Sequence, residues 1–99
     1  MLDNLTITDF STHLDQIFYI RLEGVEPIDL KLVSVAKAGT TSQPETRQAF
    51  SLHFLGPSSS QYLLQHIYRL EHEQMGVLEL FIVPLGLEDG RMRYEAIFT

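Results

Sequence analysis

The sequence predicts a mainly β fold, a small six-stranded antiparallel barrel or sandwich preceded by a short N-terminal helical turn. Residues 67–99 read as three strand-like runs separated by turns at residues 74–76 and 85–90. Residues 28–35 and 48–55 alternate between apolar and polar side chains, which is typical of strands with one buried face. We favour the barrel because closure removes the edges that such apolar strands would otherwise expose.

The first third of the chain predicts the helical turn and two strands. Thr8 is a suitable N-cap for one or two helical turns at roughly residues 8–14. Residues 16–23 are rich in β-forming side chains and predict the first strand. A turn at residues 24–27 then leads into the alternating strand at residues 28–35.

The middle of the chain predicts a long loop and a third strand. Residues 38–47 are small and polar and contain a glycine and a proline, so they predict an exposed loop. Residues 48–55 place Phe50, Leu52 and Phe54 on one side of the third strand. The Gly-Pro-Ser-Ser-Ser run at residues 56–60 is expected to end it.

Residues 62–75 admit two interpretations. Their apolar residues have helical spacing, yet residues 67–73 also alternate as a strand. Turn chemistry favours the strand, because Gly76 then takes the third position of a three-residue hairpin loop, where positive φ is required. This register places Leu70 opposite Leu80 on one apolar face.

The C-terminal part predicts two further strands. Residues 77–83 are apolar on both faces except at Glu79, which predicts a central strand or one covered on its outer face. Pro84 cannot donate a hydrogen bond to a sheet, so we expect this strand to end there. After a turn at residues 85–90, residues 91–98 predict the last strand.

Composition narrows the class of protein. The 99 residues fit a single domain over residues 1–99, and 7 basic against 13 acidic residues give a net charge of −6. Nucleic-acid binding is not expected, because the few cations are scattered. The chain has no cysteine, its acidic start does not fit a signal peptide, and no apolar run could span a membrane. We therefore expect a soluble, cytoplasmic protein.

Structural motifs along almost the whole chain resemble a family of small bacterial domains of unknown function. The motifs are Leu5-Thr6 with Asp9-Phe10, Phe50-Ser51-Leu52, Tyr68-Arg69-Leu70-Glu71-His72, Gly76 with Leu78-Glu79-Leu80-Phe81, Val83-Pro84, and Tyr94-Glu95-Ala96 with Phe98. Some members of that family are encoded near phage-tail or tail-collar-like proteins. The resemblance therefore implies an accessory role in a phage-tail-like or fibre-forming system. The chain departs from the family pattern at His66 and Glu73, beside the hairpin.

No residue pattern predicts a catalytic, cofactor or metal site. The histidines His13, His53, His66 and His72 have no compact ligand spacing, although His72 could approach Glu71 or Glu79. The serines at residues 58–60 lack the glycines of a nucleophile elbow. The six glycines are isolated, so no phosphate-binding loop is present. Surface histidines and turn residues are the favoured interpretation.

The sequence suggests three functions. The first is a non-enzymatic interaction or assembly protein that binds itself or another protein, with Tyr62, Leu63 and Leu64 as the candidate interaction patch. The alternative is a small-ligand-binding β-barrel whose cavity is lined by Phe50, Phe54, Phe81 and Tyr94. The third, an enzyme that uses His72, His53 and a carboxylate, is the least favoured.

Overall fold

Six antiparallel strands close into a barrel in the computed structural model, which describes residues 7–22, 24, 26–37, 50–58 and 62–98. The elements are α1 (Ile7–Ser11), β1 (Ile17–Ile20), β2 (Ile28–Lys37), β3 (Phe50–Ser58), β4 (His66–His72), β5 (Gly76–Glu88) and β6 (Arg91–Phe98). Around the barrel the strands follow the order β1-β2-β3-β6-β5-β4, and β4 closes onto β1. The predicted mainly β fold is confirmed, and the barrel rather than the sandwich is its architecture.

Alternating side chains fill the interior of the barrel. On β3, Phe50, Leu52 and Phe54 point inward and are buried, while the residues between them lie nearer the surface. Burial of such side chains is the main favourable contribution to folding. The helix α1 packs onto this core through Phe10, whose ring centroid lies 5.8 Å from that of Phe50. The buried core comprises Phe10, Phe18, Ile20, Leu30, Leu32, Phe50, Leu52, Phe54, Leu63, Leu70, Leu78, Leu80, Ile82, Met92, Tyr94 and Ala96.

The β4–β5 hairpin has a different register from the predicted one. Leu70 lies opposite Leu78, not Leu80, and His72 lies opposite Gly76. The shift is two residues, so the same side chains still face inward. The turn begins directly after His72, because Nδ1 of its ring accepts hydrogen bonds from the backbone N–H groups of Gln74 and Met75, both at 3.1 Å.

Gly76 has a φ of 80°, as the hairpin prediction required. Replacing Gly76 by alanine should lower the free energy of unfolding by about 1–2 kcal/mol, the cost of left-handed backbone for a residue with a Cβ. Steric overlap adds nothing, since a Cβ there meets no atom within 4 Å. Urea denaturation measures the change. Gly76→Asn is the matched control and should lose less, because asparagine tolerates this conformation; equal losses would contradict the explanation.

The β5–β6 hairpin is longer than predicted. β5 continues through Pro84 to Glu88, so the expected strand end at Pro84 is wrong. A register shift between Pro84 and Gly86 accommodates the proline, which bulges tolerate. The turn is made by Asp89 and Gly90 alone, with φ values of 53° and 81°, instead of by residues 85–90.

Other boundaries differ by a few residues. The helix spans Ile7–Ser11 instead of residues 8–14, and β1 is shorter than the predicted strand at residues 16–23. β3 runs on to Ser58, because Ser58 pairs with Arg91 of β6, so residues 56–58 do not end it. The ambiguous stretch at residues 62–75 contains the strand β4. The loop predicted at residues 38–47 lies outside the described residues.

The described part of the chain contains no helix of sufficient length and apolarity to cross a membrane.

Candidate interaction face

An apolar band crosses the outer surface of β4, β5 and β6. Ile67 of β4 and Phe81 of β5 are paired residues, and both point outward. Val83 pairs with Glu95, and two residues further along the same two strands Ile97 lies on this outer face. The exposed fractions of Ile67, Phe81 and Ile97 are 59%, 50% and 55%. We call these three residues the apolar band.

The band follows from the sequence of β5. Its inward side chains, Leu78, Leu80 and Ile82, are buried in the core. Because strand side chains alternate, Val77 and Phe81 must point outward, where no other described element covers them. The apolar outer face of this segment was predicted to need a cover. In the single chain it is exposed to solvent.

Charges beside the band are largely balanced. Among the described residues, three ion pairs join Arg21 to Glu71, Arg69 to Glu79 and Arg93 to Glu88, and His53 is hydrogen-bonded to Glu95. Exposed pairs of this kind contribute little to stability. The pair beside the band is Arg69–Glu79, whose charges cancel there, since Arg69 lies two residues from Ile67 on β4 and Glu79 two residues from Phe81 on β5.

Ser34, His53 and Glu95 lie in one row across β2, β3 and β6, a combination that can activate a serine nucleophile. The hydrogen bonds of His53 do not suit that role. Nδ1 accepts from Nε of Arg93 at 3.0 Å, and Nε2 bonds Oε2 of Glu95 at 3.2 Å. Because both ring nitrogens have partners, neither is placed to take a proton from Ser34. His53 instead links Arg93 to Glu95 through hydrogen bonds.

His13 and His72 lie side by side, with ring centroids 4.5 Å apart. Oε1 of Gln16 accepts hydrogen bonds from Nε2 of His72 at 2.7 Å and from Nδ1 of His13 at 2.9 Å. The two backbone donors at Nδ1 of His72 fix its proton on Nε2. Burial lowers the pKa of His72, and the neighbouring His13 lowers it further, whereas Glu73 acts in the opposite direction. His72 is therefore held neutral.

The structure does not bring His72 to the carboxylates considered from sequence. His72 points inward, whereas Glu71 and Glu79 point outward and form ion pairs with Arg21 and Arg69. His66 lies beside the ring of Tyr68, at a centroid distance of 5.5 Å. Within the described residues, no group of three or more histidine, aspartate or glutamate side chains could hold a metal ion.

The predicted patch divides between surface and core. Tyr62 and Leu64 are exposed, whereas Leu63 is buried and its N–H donates to Oη of Tyr94 at 2.8 Å. Burial raises the pKa of Tyr94, so its hydroxyl stays protonated. Oη of Tyr68 donates to the carbonyl of Leu64 at 2.8 Å. The segment is thus held in place, and partner binding by Tyr62, Leu63 and Leu64 stays a prediction.

The aromatic residues proposed to line a ligand cavity do not lie together. Phe50, Phe54 and Tyr94 are packed in the core, where the rings of Phe54 and Phe18 meet edge to face at 5.5 Å. Phe81 lies outside the barrel, in the apolar band. These four residues therefore do not form a common lining.

The model of a domain of unknown function, DUF6916, matches residues 5–98. The chain belongs to this family. The match covers every strand of the barrel, so the six-stranded fold described above is that of a DUF6916 domain. Neither a curated protein nor a solved structure is significantly similar to this DUF6916 chain.

Proposed function

We propose that this DUF6916 protein is a non-enzymatic assembly protein that associates with a second copy of itself through the outer face of β4, β5 and β6. The apolar band carries this proposal. Contiguous exposed apolar side chains are typical of protein contacts, and aromatic residues such as Phe81 often dominate their energetics.

Paired charges beside the band permit a second copy as the partner. Two chains of net charge −6 repel each other. This repulsion is reduced where opposite charges are paired, and beside the band Arg69 pairs with Glu79. The paired charges beside the band therefore lower the cost of bringing two acidic copies together on this face.

Size and topology fit the same partner. The molecule measures 43 × 26 × 22 Å, so one long side can supply the roughly 800 Å² per partner of a standard interface. Because β4, β5 and β6 are each paired with a strand on both sides, side chains rather than backbone edges provide the contact on this face.

The proposed setting is the bacterial cytoplasm, and the proposed role is that of an accessory in a phage-tail-like or fibre-forming system. Its support is the resemblance of the strand motifs to small bacterial domains encoded near tail proteins. Self-association would supply the paired unit that such an assembly incorporates.

Sedimentation velocity at several protein concentrations tests self-association. Wild-type protein should shift from monomer to dimer as its concentration rises. Phe81→Glu should weaken the dimer about 100-fold or more, because each dimer loses two buried rings and gains two buried charges.

Leu64→Glu is the matched control. Leu64 is 70% exposed and belongs to the predicted patch but not to the apolar band. This variant should associate like the wild type. A wild type that stays monomeric at every concentration, or a dimer broken by Leu64→Glu and not by Phe81→Glu, would overturn the proposal.

A further inference from the structure

The strands β2 and β3 separate before they end. Their ladder stops at the pair Lys31–Leu55. Beyond it, among the residues that the structure describes, residues 28–30 of β2 pair only with β1, and Ser58 of β3 pairs with β6. Pro57 has no N–H to donate, which is one reason why the ladder does not continue. The separation leaves one edge of β2 open toward β3.

A groove of about 280 Å³ occupies this separation. Its apolar part is formed by Ile17 and Leu55, which are half-buried. Lys31, Arg91, Ser58 and Asp29 supply the polar part. Apolar surface combined with a few convergent polar groups is typical of ligand sites.

The cations of the groove differ from the others in the described residues. Of the five basic side chains that the structure describes, Arg21, Arg69 and Arg93 form ion pairs with glutamates. Lys31 and Arg91 form none with the described residues, and both line the groove. On a chain of net charge −6, these two free cations are concentrated at one site.

We propose that the groove between β2 and β3 binds a carboxylate of an acidic peptide segment. Lys31 and Arg91 donate charge-assisted hydrogen bonds to that carboxylate. The open edge at residues 28–30 offers backbone groups to an extended peptide, and Ile17 and Leu55 contact one of its apolar side chains. Asp29 in the lining favours a singly charged carboxylate over a doubly charged phosphate.

Phe81 and Ile67 of the apolar band lie on β5 and β4, which do not line the groove, and β6 contributes to the two sites through residues near its opposite ends, Arg91 and Ile97. Peptide binding is therefore independent of self-association. A monomeric variant such as Phe81→Glu should bind the peptide as the wild type does, so failure of one proposal leaves the other intact.

Amide chemical shifts of isotope-labelled protein test the groove. The probe is a capped peptide with alternating valine and acidic residues, and the comparison peptide carries glutamine and asparagine instead. The acidic peptide should shift the amides of residues 28–31, of Leu55, Gly56 and Ser58, and of Arg91, and the neutral peptide should bind about tenfold more weakly or worse.

Variants of the two cations identify the contact. Arg91→Gln and Lys31→Gln should each weaken acidic-peptide binding about tenfold. Arg69→Gln, in an exposed arginine of β4, is the matched control and should bind normally. The proposal would be overturned if the shifted amides lay outside the groove, or if Arg91→Gln bound the acidic peptide as tightly as the wild type does. It would also be overturned if the neutral peptide or inorganic phosphate bound as tightly as the acidic peptide.

Discussion

Replacing Phe18 by alanine should lower the free energy of unfolding by about 3–5 kcal/mol, a large part of the stability of a domain this size. Phe18 is fully buried on β1, the shortest strand of the barrel with 4 residues. Its ring lies 5.5 Å from that of Phe54 and 4.5 Å from that of His72. The substitution leaves a cavity where β1 meets the core, and urea denaturation measures the loss.

Tyr19→Ala is the control on the same strand. Tyr19 follows Phe18 directly but points outward and is 40% exposed. Its loss should cost about 1 kcal/mol. Equal destabilisation by the two variants would contradict the assignment of inner and outer faces on β1.

Acidification should destabilise the protein through His72. The folded state lowers the pKa of His72 below its ordinary value of 6.5, mainly by burial and further through His13. The unfolded chain therefore binds a proton first as the pH falls. The contribution of His72 is complete above pH 6.5 and is lost progressively between 6.5 and the lower folded-state pKa. The slope is at most ~1.4 kcal/mol per pH unit for this one proton.

Urea denaturation between about pH 7.5 and pH 5.5 measures this effect. His72→Asn removes the titrating ring but keeps a side-chain oxygen that can accept from Gln74 and Met75, so its stability should vary less with pH. His66→Asn, at an exposed position, should keep the wild-type dependence. A His72→Asn profile as steep as that of the wild type would show that another group is responsible.

The alternation of apolar and polar residues along the strands determines most of the fold. Phe50, Leu52 and Phe54 are inward-facing in the barrel as the period of two indicates. Leu70 and Leu80 also share the inward face as predicted, although Leu70 pairs with Leu78, because an error of two residues keeps a side chain on its face. Its true register depends on the His72 ring, which caps the turn, and strand propensity carries no information about that bond.

The strand ends were predicted wrongly where a local signal such as a proline competes with the pairing between strands. Pro84 was expected to end its strand, but a bulge before Gly86 lets β5 continue. Asp89 and Gly90 are a strong signal for a two-residue hairpin turn, and that signal would have extended β5 correctly. The extension of β3 through Pro57 depends on pairing with the distant strand β6, which no local pattern reveals.

Part of the candidate site could be predicted from the sequence. The outward position of Phe81 follows from the buried Leu80 and Ile82 on either side of it, although Phe81 was assigned to a cavity lining. That Ile67 lies beside Phe81 depends on the hairpin register, and the place of Ile97 depends on β5 pairing with β6. The groove between β2 and β3 depends on where two strands separate, so it appears only in the folded chain.

Isotope-filtered nuclear Overhauser spectroscopy on a mixture of labelled and unlabelled chains tests self-association through the apolar band most directly. At concentrations where the dimer forms, we expect contacts between methyl groups of Ile67 or Ile97 in one chain and the ring of Phe81 in the other. A dimer whose intermolecular contacts come instead from Leu64, or a sample with no intermolecular contact at any concentration, would contradict the proposal.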